Sequence, residues 1–400
     1  MTKQKSLVFL SVFESYALYL LTGAACVCLG SSLPSLIQHY GISLAKAAAL
    51  VSAMAVGRVS TVFFSGMLTE KLGNRFSLTS GVVLLSLYLS FIPNTKNYFL
   101  AIVLSALAGV GQGLQDSVCP VILSNAFPNH YASAVSAGQA FFAAGCFLPP
   151  LIMSFLLATG NSWKIMYYCF VVLAVIMLIL SPFVKTAAPA VKMNKEPARK
   201  KQLSKSRFLI FLLFGIITFG YCAVTNTFHT YTSSYLMSFG IKESVSVSVL
   251  TLFSVGGMAG AIVFIAILKK LHTTTVLWMN TSIGLVCVII AILLKSELAF
   301  FICFSITGFF YGVLFSVLVT LSTELMPDHT GIAAALVGFI GGSADIMSPL
   351  ITGAFVNSFG VSSTFLYILV MAAVTAGTAI VLRFIFVRKT RQGSLRASCQ

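Results

Sequence analysis

Residues 98–126 read YFLAIVLSALAGVGQGLQDSVCPVILSNA, and this stretch decides the fold. It is largely apolar and carries one charge, Asp116. A helix needs roughly 20 apolar residues to cross the hydrocarbon core of a bilayer, and this run exceeds that length. Its apolar residues are continuous and do not alternate, which argues against a barrel strand. Backbone polar groups in lipid must be satisfied within the segment, so the run reads as a spanning helix. An aspartate inside such a helix then demands an explanation.

The rest of the chain agrees with this reading. Of 400 residues, 58% are hydrophobic and 8% charged, and the mean hydropathy is +0.98. A soluble domain carries about 25% charged residues, so a water-facing surface of ordinary size is excluded. About twelve segments reach spanning length: 7–37, 45–69, 76–93, 98–126, 133–159, 163–184, 208–237, 243–268, 274–294, 298–326, 330–358 and 362–387. Links between them are short. The exception is 185–207, KTAAPAVKMNKEPARKKQLSKSR, which is basic, carries two prolines and reads as a surface linker.

The net charge of +16 could indicate nucleic acid as a partner, but its distribution excludes that class. With the N-terminus inside, Lys3, Lys5, Lys71, Arg75, the basic linker, Lys269, Lys270 and the basic tail fall on one side. Only Lys46, Lys96, Lys164, Lys242 and Lys295 fall on the other. This positive-inside bias predicts that both termini and the linker face the cytoplasm, in the cell membrane. The first segment lacks a cleavage pattern and is expected to remain as a helix. Eight of the nine cysteines lie within predicted helices and read as small packing residues. No metal-ligand spacing appears, and no cofactor is expected.

The chain repeats itself at an offset of 199 residues. Gly41-Ile42 falls on Gly240-Ile241, Gly57 on Gly256, Leu72 on Leu271 and Gly113 on Gly312. Pro128-Asn-His130 falls on Pro327-Asp-His329, and Pro150-Leu-Ile152 on Pro349-Leu-Ile351. The reading is two parallel six-helix halves, 1–184 and 208–400, joined by the linker 185–207. Repeats of this kind occur in secondary transporters, where the substrate site lies near mid-membrane.

The stretch after the second segment, Gly66-Met-Leu-Thr-Glu-Lys-Leu-Gly-Asn-Arg75, resembles the signature loop of the major facilitator superfamily, Gly-x-Leu-x-Asp-Arg-x-Gly-Arg-Arg/Lys. Gly66, Leu68, Gly73 and Arg75 match; Glu70 replaces the usual Asp and Lys71 the frequent Arg. The second copy, Ile265-Ala-Ile-Leu-Lys-Lys-Leu-His272, keeps only its basic character. The resemblance implies an all-α membrane protein of twelve transmembrane helices in two pseudo-repeated halves. It implies that segments 1, 4, 7 and 10 line the cavity and that segments 2 and 11 meet across the halves. It does not name a substrate.

Ionisable residues at membrane depth face a cavity or a partner. Glu14 and Asp116 are expected to line an aqueous cavity of the first half. Partial desolvation there favours the neutral form of a carboxyl, which suits a proton-coupling site. Gln112 and Gln115 accompany Asp116, and Ser105 lies on the same face. Pro120 frees a backbone carbonyl near it. The run loosely resembles the fourth helix of fucose–proton symporters, which places an acidic residue after glycines. Arg58 and Asp345 are expected to pair between the halves.

Segment 7, GYCAVTNTFHTYTSSYLMSFG (220–240), is the most polar. Tyr221, Thr225, His229 and Thr232 form a stripe flanked by Asn226, which suits a polar organic ligand. Tyr311, Ser316 and Gln139 are further candidates; Glu324 and Asp328 read as gate or surface charges. The expected function is a proton-coupled symporter of a sugar or organic acid, acting as a monomer in the lipid bilayer. The alternative is an efflux antiporter. Segment 5 has Gly138, Gly145 and Pro150 but lacks the full Gly-Pro-x-x-Gly-Gly element of such proteins. A non-transporting receptor is a second alternative. No catalytic constellation is visible, so an enzyme is not expected.

Overall fold

The structure is a computed structural model and describes residues 2–127, 131–183, 205–268, 270–326 and 330–397. Among these residues it is helical, without strands. The first half comprises α1 (Thr2–Ser31), α2 (Leu33–Tyr40), α3 (Leu44–Leu72), α4 (Asn74–Phe91), α5 (Tyr98–Ala126), α6 (Tyr131–Ala158) and α7 (Lys164–Leu180). The second comprises α8 (Lys205–Met237), α9 (Glu243–Ile267), α10 (Thr273–Leu294), α11 (Glu297–Tyr311), α12 (Leu314–Leu325), α13 (Thr330–Phe359) and α14 (Ser362–Ala397). Ten spans are long and apolar enough to cross a membrane, α11 and α12 counting as one. The shorter apolar α7 and the 18-residue α4 occupy the remaining expected crossings. The linker expected at 185–207 lies outside the described residues up to 204.

Three local departures from the expected spans have physical causes. The first segment breaks at Ser32 and restarts as α2 with Pro34 in its first turn, a position that suits proline because its missing N–H is not needed there. Ser32 Oγ donates to the Cys28 carbonyl at 2.7 Å and lies 2.9 Å from the Tyr167 hydroxyl. The signature stretch is helix up to Leu72, not loop; the turn is Gly73 alone, with φ 85°. Only glycine adopts that backbone without strain. The tenth segment breaks between Tyr311 and Leu314, and Asn280 Nδ2 donates to the Phe310 carbonyl there at 3.0 Å.

The internal repeat reappears in the backbone. α5 and the α11–α12 pair start and end 199 residues apart. They stop in matching conformations, Phe127 at φ −131° and ψ 63° and Met326 at φ −131° and ψ 64°. Gly41 and Gly240 both have positive φ, 62° and 79°. The crossing of α3 with α5 also matches that of α9 with α11. A Cβ on Gly57 would overlap the Ala106 carbonyl, and one on Gly109 the Met54 carbonyl. At the same offset, a Cβ on Gly256 would overlap Ser305 and one on Gly308 would overlap Phe253. Small residues let helix backbones touch where no hydrophobic effect drives them together.

By contacts the chain gathers into two compact units that do not follow the repeat. The first is Met1–Glu196 with His229–Thr251 and Ile346–Val361. Its core is built around Leu18, Leu21, Leu85, Tyr88 and Tyr167. Hydrogen bonds draw the two added segments in: Ser35 Oγ to Glu243 Oε1 at 3.1 Å, Ser52 Oγ to the Ile346 carbonyl at 3.2 Å, and Ser154 Oγ to the Ser244 carbonyl at 3.0 Å. The second unit is Pro197–Phe228, Leu252–Asp345 and Ser362–Gln400. Its core is aromatic: Phe228 stacks on Phe253 at 4.9 Å and meets Phe304 edge-on at 4.9 Å, with Phe365 alongside.

Candidate functional site

In the first unit the polar groups collect where α1 and α3 meet α5. The glycines of α5 bring α3 close, and that approach positions Arg58. Its Nε donates to Asp116 Oδ2 at 2.8 Å, with the two side chains 32% and 28% exposed. This is a charge-assisted bond of the strong kind. The sequence assigned Arg58 to Asp345; here Arg58 bonds Asp116 on the neighbouring helix. Gly113 makes room for it, since a Cβ there would sit 2.9 Å from the Arg58 carbonyl.

Glu14, on α1, is fully buried, and neither carboxyl oxygen has a hydrogen-bond partner among the described residues. Gln115 on α5 is likewise buried, its amide reaching the Cys119 thiol, and the buried Ser105 hydroxyl has no hydrogen-bond partner among the described residues. Gln112 is buried and donates from Nε2 to Met54 Sδ at 3.2 Å. The Cys119 thiol on α5 donates to the Ser15 carbonyl on α1 at 3.8 Å. Of the signature residues, Arg75 is exposed on the first turn of α4 and Gly73 makes the turn. Gly66, Leu68, Glu70 and Lys71 lie in the last turns of α3, and their side chains fall outside the described ones. Gln139 is exposed on α6.

In the second unit, Asn226 Nδ2 donates to Asp345 Oδ1 at 3.3 Å. The Tyr221 and Tyr311 rings lie 6.0 Å apart. Tyr311 ends α11 at the helix break; it is buried, and its hydroxyl has no partner among the described residues. Thr225 turns its hydroxyl back onto the Tyr221 carbonyl of its own helix at 3.0 Å, a local bond that withdraws it from the stripe. His229 and Thr232 belong to the first unit, so the stripe of segment 7 is shared out between units. The His229 carbonyl packs so closely on Gly30 that no Cβ fits there. Ser316 is exposed, Glu324 accepts from Thr273 Oγ1 at 2.9 Å, and Asp328 lies outside the described residues.

Sequence reasoning missed three features: the Arg58–Asp116 bond, the break beside Tyr311, and the full burial of Glu14, which it places on an aqueous cavity. Arg58 and Asp116 are 58 residues apart, and only the glycine crossing brings them together. Among the described residues no group of three or more His, Cys, Asp or Glu side chains could hold a metal.

A duplicated bundle of spanning helices, with an ion pair at membrane depth in one half, has the build of a secondary transporter. The chain belongs to the Major Facilitator Superfamily, whose family model matches residues 16–349. It is 27% identical to the inner membrane transport protein YdiN of Escherichia coli (strain K12), over 96% of this chain and 91% of that one. It is 24% identical to the uncharacterized MFS-type transporter YfkL of Bacillus subtilis (strain 168), over 94% and 96%. Its fold matches the crystal structure of a D-xylose–proton symporter with a TM-score of 0.75, at 16% identity, over 94% and 97% of the two chains. The protein is therefore a multi-pass membrane transporter and not an enzyme.

Proposed function

We propose that the protein is a proton-coupled symporter that moves a small polar organic solute, a sugar or an organic acid, across the cell membrane, with both termini in the cytoplasm. The observation that carries the reading is the polar crossing itself. Glu14, Gln115 and the Arg58–Asp116 pair sit at membrane depth, where ionisable groups are costly and mark ion or substrate pathways. Solute recognition is assigned to Tyr221, Tyr311, Asn226 and Asp345 of the second unit. Together they offer aromatic faces, a hydroxyl, an amide and a carboxylate. The driving ion is the proton, no cofactor takes part, and one chain suffices because it holds both halves.

The test is proton movement in proteoliposomes on addition of sugars, carboxylates or lipophilic cations. Inward proton flow with a sugar or a carboxylate is the expected result. Proton movement opposite to a lipophilic cation would establish antiport and overturn the direction.

A further inference from the structure

The turn that leads into α10 is the second copy of the Gly73 turn. At the offset of 199, His272 falls on Gly73, and α10 begins where α4 does. The first half makes its turn with glycine at φ 85° and no side-chain cap. The second half puts a histidine there, at φ −64° and ψ 140°, and its ring caps α10. The Thr274 N–H donates to His272 Nδ1 at 3.2 Å. Thr274 Oγ1 lies 2.9 Å from the same nitrogen, and Arg383 Nη1 on α14 donates to that hydroxyl at 3.1 Å. The ring also leans on Phe386 of α14, with centroids 6.1 Å apart.

The two ends of this chain of bonds fix the protons in it. A backbone N–H and a guanidinium can only donate. His272 Nδ1 therefore carries no hydrogen, and the neutral ring holds its proton on Nε2. Thr274 Oγ1 accepts from Arg383 and turns its own hydrogen to Nδ1. An imidazolium, by contrast, donates from both nitrogens. A proton on Nδ1 would set donor against donor at the Thr274 N–H, in a residue that is fully buried. It would also put a second cation beside the Arg383–Thr274 bond. The other charged groups described around this turn are Lys270, which is exposed, and Glu324 on α12, which Thr273 Oγ1 engages at 2.9 Å.

We propose that His272 is a proton-sensitive fastener of α10 to α14. When neutral it caps α10 and ties it through Thr274 to Arg383; when protonated it releases the first turn. Histidine is the side chain that ordinarily changes charge between about pH 5 and 8. With the orientation proposed above, this end of the protein faces the cytoplasm, so the switch reads cytoplasmic pH. Acid carried in with the solute would then loosen it. The switch itself requires neither that orientation nor proton coupling.

The experiment is amide hydrogen exchange of the purified full chain in detergent, at about pH 8 and about pH 5.5, on either side of the ordinary histidine range. Rates are divided by the intrinsic chemical rate at each pH. In wild type the first turn of α10, 274–277, is expected to exchange about fivefold faster at the lower pH, the size of a lost cap. The matched turn of α4, 75–78, serves as the control and is expected to stay constant. His272→Asn, which caps without titrating, is expected to abolish the difference; should it not fold, His272→Ser serves in its place. Nitrogen-15 spectra of histidine-labelled protein give a second reading: the ring missing from the variant is expected to show a bare Nδ1 at the upper pH. The proposal is overturned if wild type shows no acceleration, if the α4 turn accelerates equally, if the acceleration survives the variant, or if Nδ1 is protonated at the upper pH. No solute enters this experiment, so its failure removes the switch and leaves the coupled-carrier reading to the proteoliposome test.

Discussion

The two halves of this protein share a backbone crossing but not a chemistry. Where α3 crosses α5, and where α9 crosses α11, glycines at matched positions bring main chains into contact. On that common frame the first half places Ser105, Gln112, Gln115 and Asp116; the second places Phe304, Tyr311, Leu314 and Phe315. The difference teaches that the frame is a packing solution and the polar groups are additions to it. The first half is specialised for charge, while the second keeps an aromatic core with one hydroxyl and one carboxylate near the break in its helix.

The largest effect should come from breaking the frame itself, equally in either half. Gly109→Leu and Gly308→Leu each force a side chain into a backbone carbonyl. Overpacking costs about 1–3 kcal/mol where neighbours can shift, and more where they cannot. Both variants are expected to lose most monodisperse protein in size-exclusion chromatography. If one half tolerates the change, the two crossings are not equivalent.

Next in size is the ion pair, which only the first half has. Arg58→Gln strands the Asp116 carboxylate, and removing one partner of a buried pair costs up to about 3–5 kcal/mol. The actual loss should be smaller, because both side chains are about a third exposed or less, not sealed off. The double variant Arg58→Gln/Asp116→Asn is expected to recover much of the thermal stability lost in Arg58→Gln, while transport remains absent. Recovery of transport as well would reduce the pair to a packing element.

A smaller effect with opposite signs in two assays is expected at Tyr311. Its hydroxyl is buried without a partner among the described residues, which costs about 1–3 kcal/mol relative to a satisfied group. Tyr311→Phe should therefore leave the melting temperature unchanged or raise it, and raise the KM for the transported solute. A fall in stability would mean that the hydroxyl is already satisfied and is not waiting for a ligand.

Much of this architecture was legible in the chain. Long apolar runs fix the spans, because lipid leaves the backbone no other choice. The offset of 199 fixes the duplication, since glycines and prolines are kept where the backbone needs them. Two things were not legible. In the sequence Arg58 reads as the partner of Asp345 and Asp116 as a cavity acid beside Glu14, since one helix does not reveal which neighbour its glycines admit. The break after Tyr311 was hidden because its counterpart, Gln112-Gly113, continues as unbroken helix. Glu14 was legible as a candidate, but its burial depends on how α1 sits on α5, a relation written in contacts and not in spacing.

That break gives the finest test of the comparison. In the first half, Gly81 lets α4 approach α5 so closely that a Cβ there would stand 3.1 Å from the Gly111 carbonyl. In the second half, the matched residue is Asn280, and its side chain spans the gap to the matched carbonyl of Phe310 at 3.0 Å. Asn280 thus binds a carbonyl in the final turn of α11, next to the break. Asn280→Ala removes the donor and should cost about 0.5–1.5 kcal/mol, read as a small fall in melting temperature. Hydrogen exchange should quicken around 310–314 and stay unchanged in the matched turn 111–115. If exchange there does not change, Asn280 plays no part in holding the break, and the interruption is set by the Gly312–Gly257 contact alone.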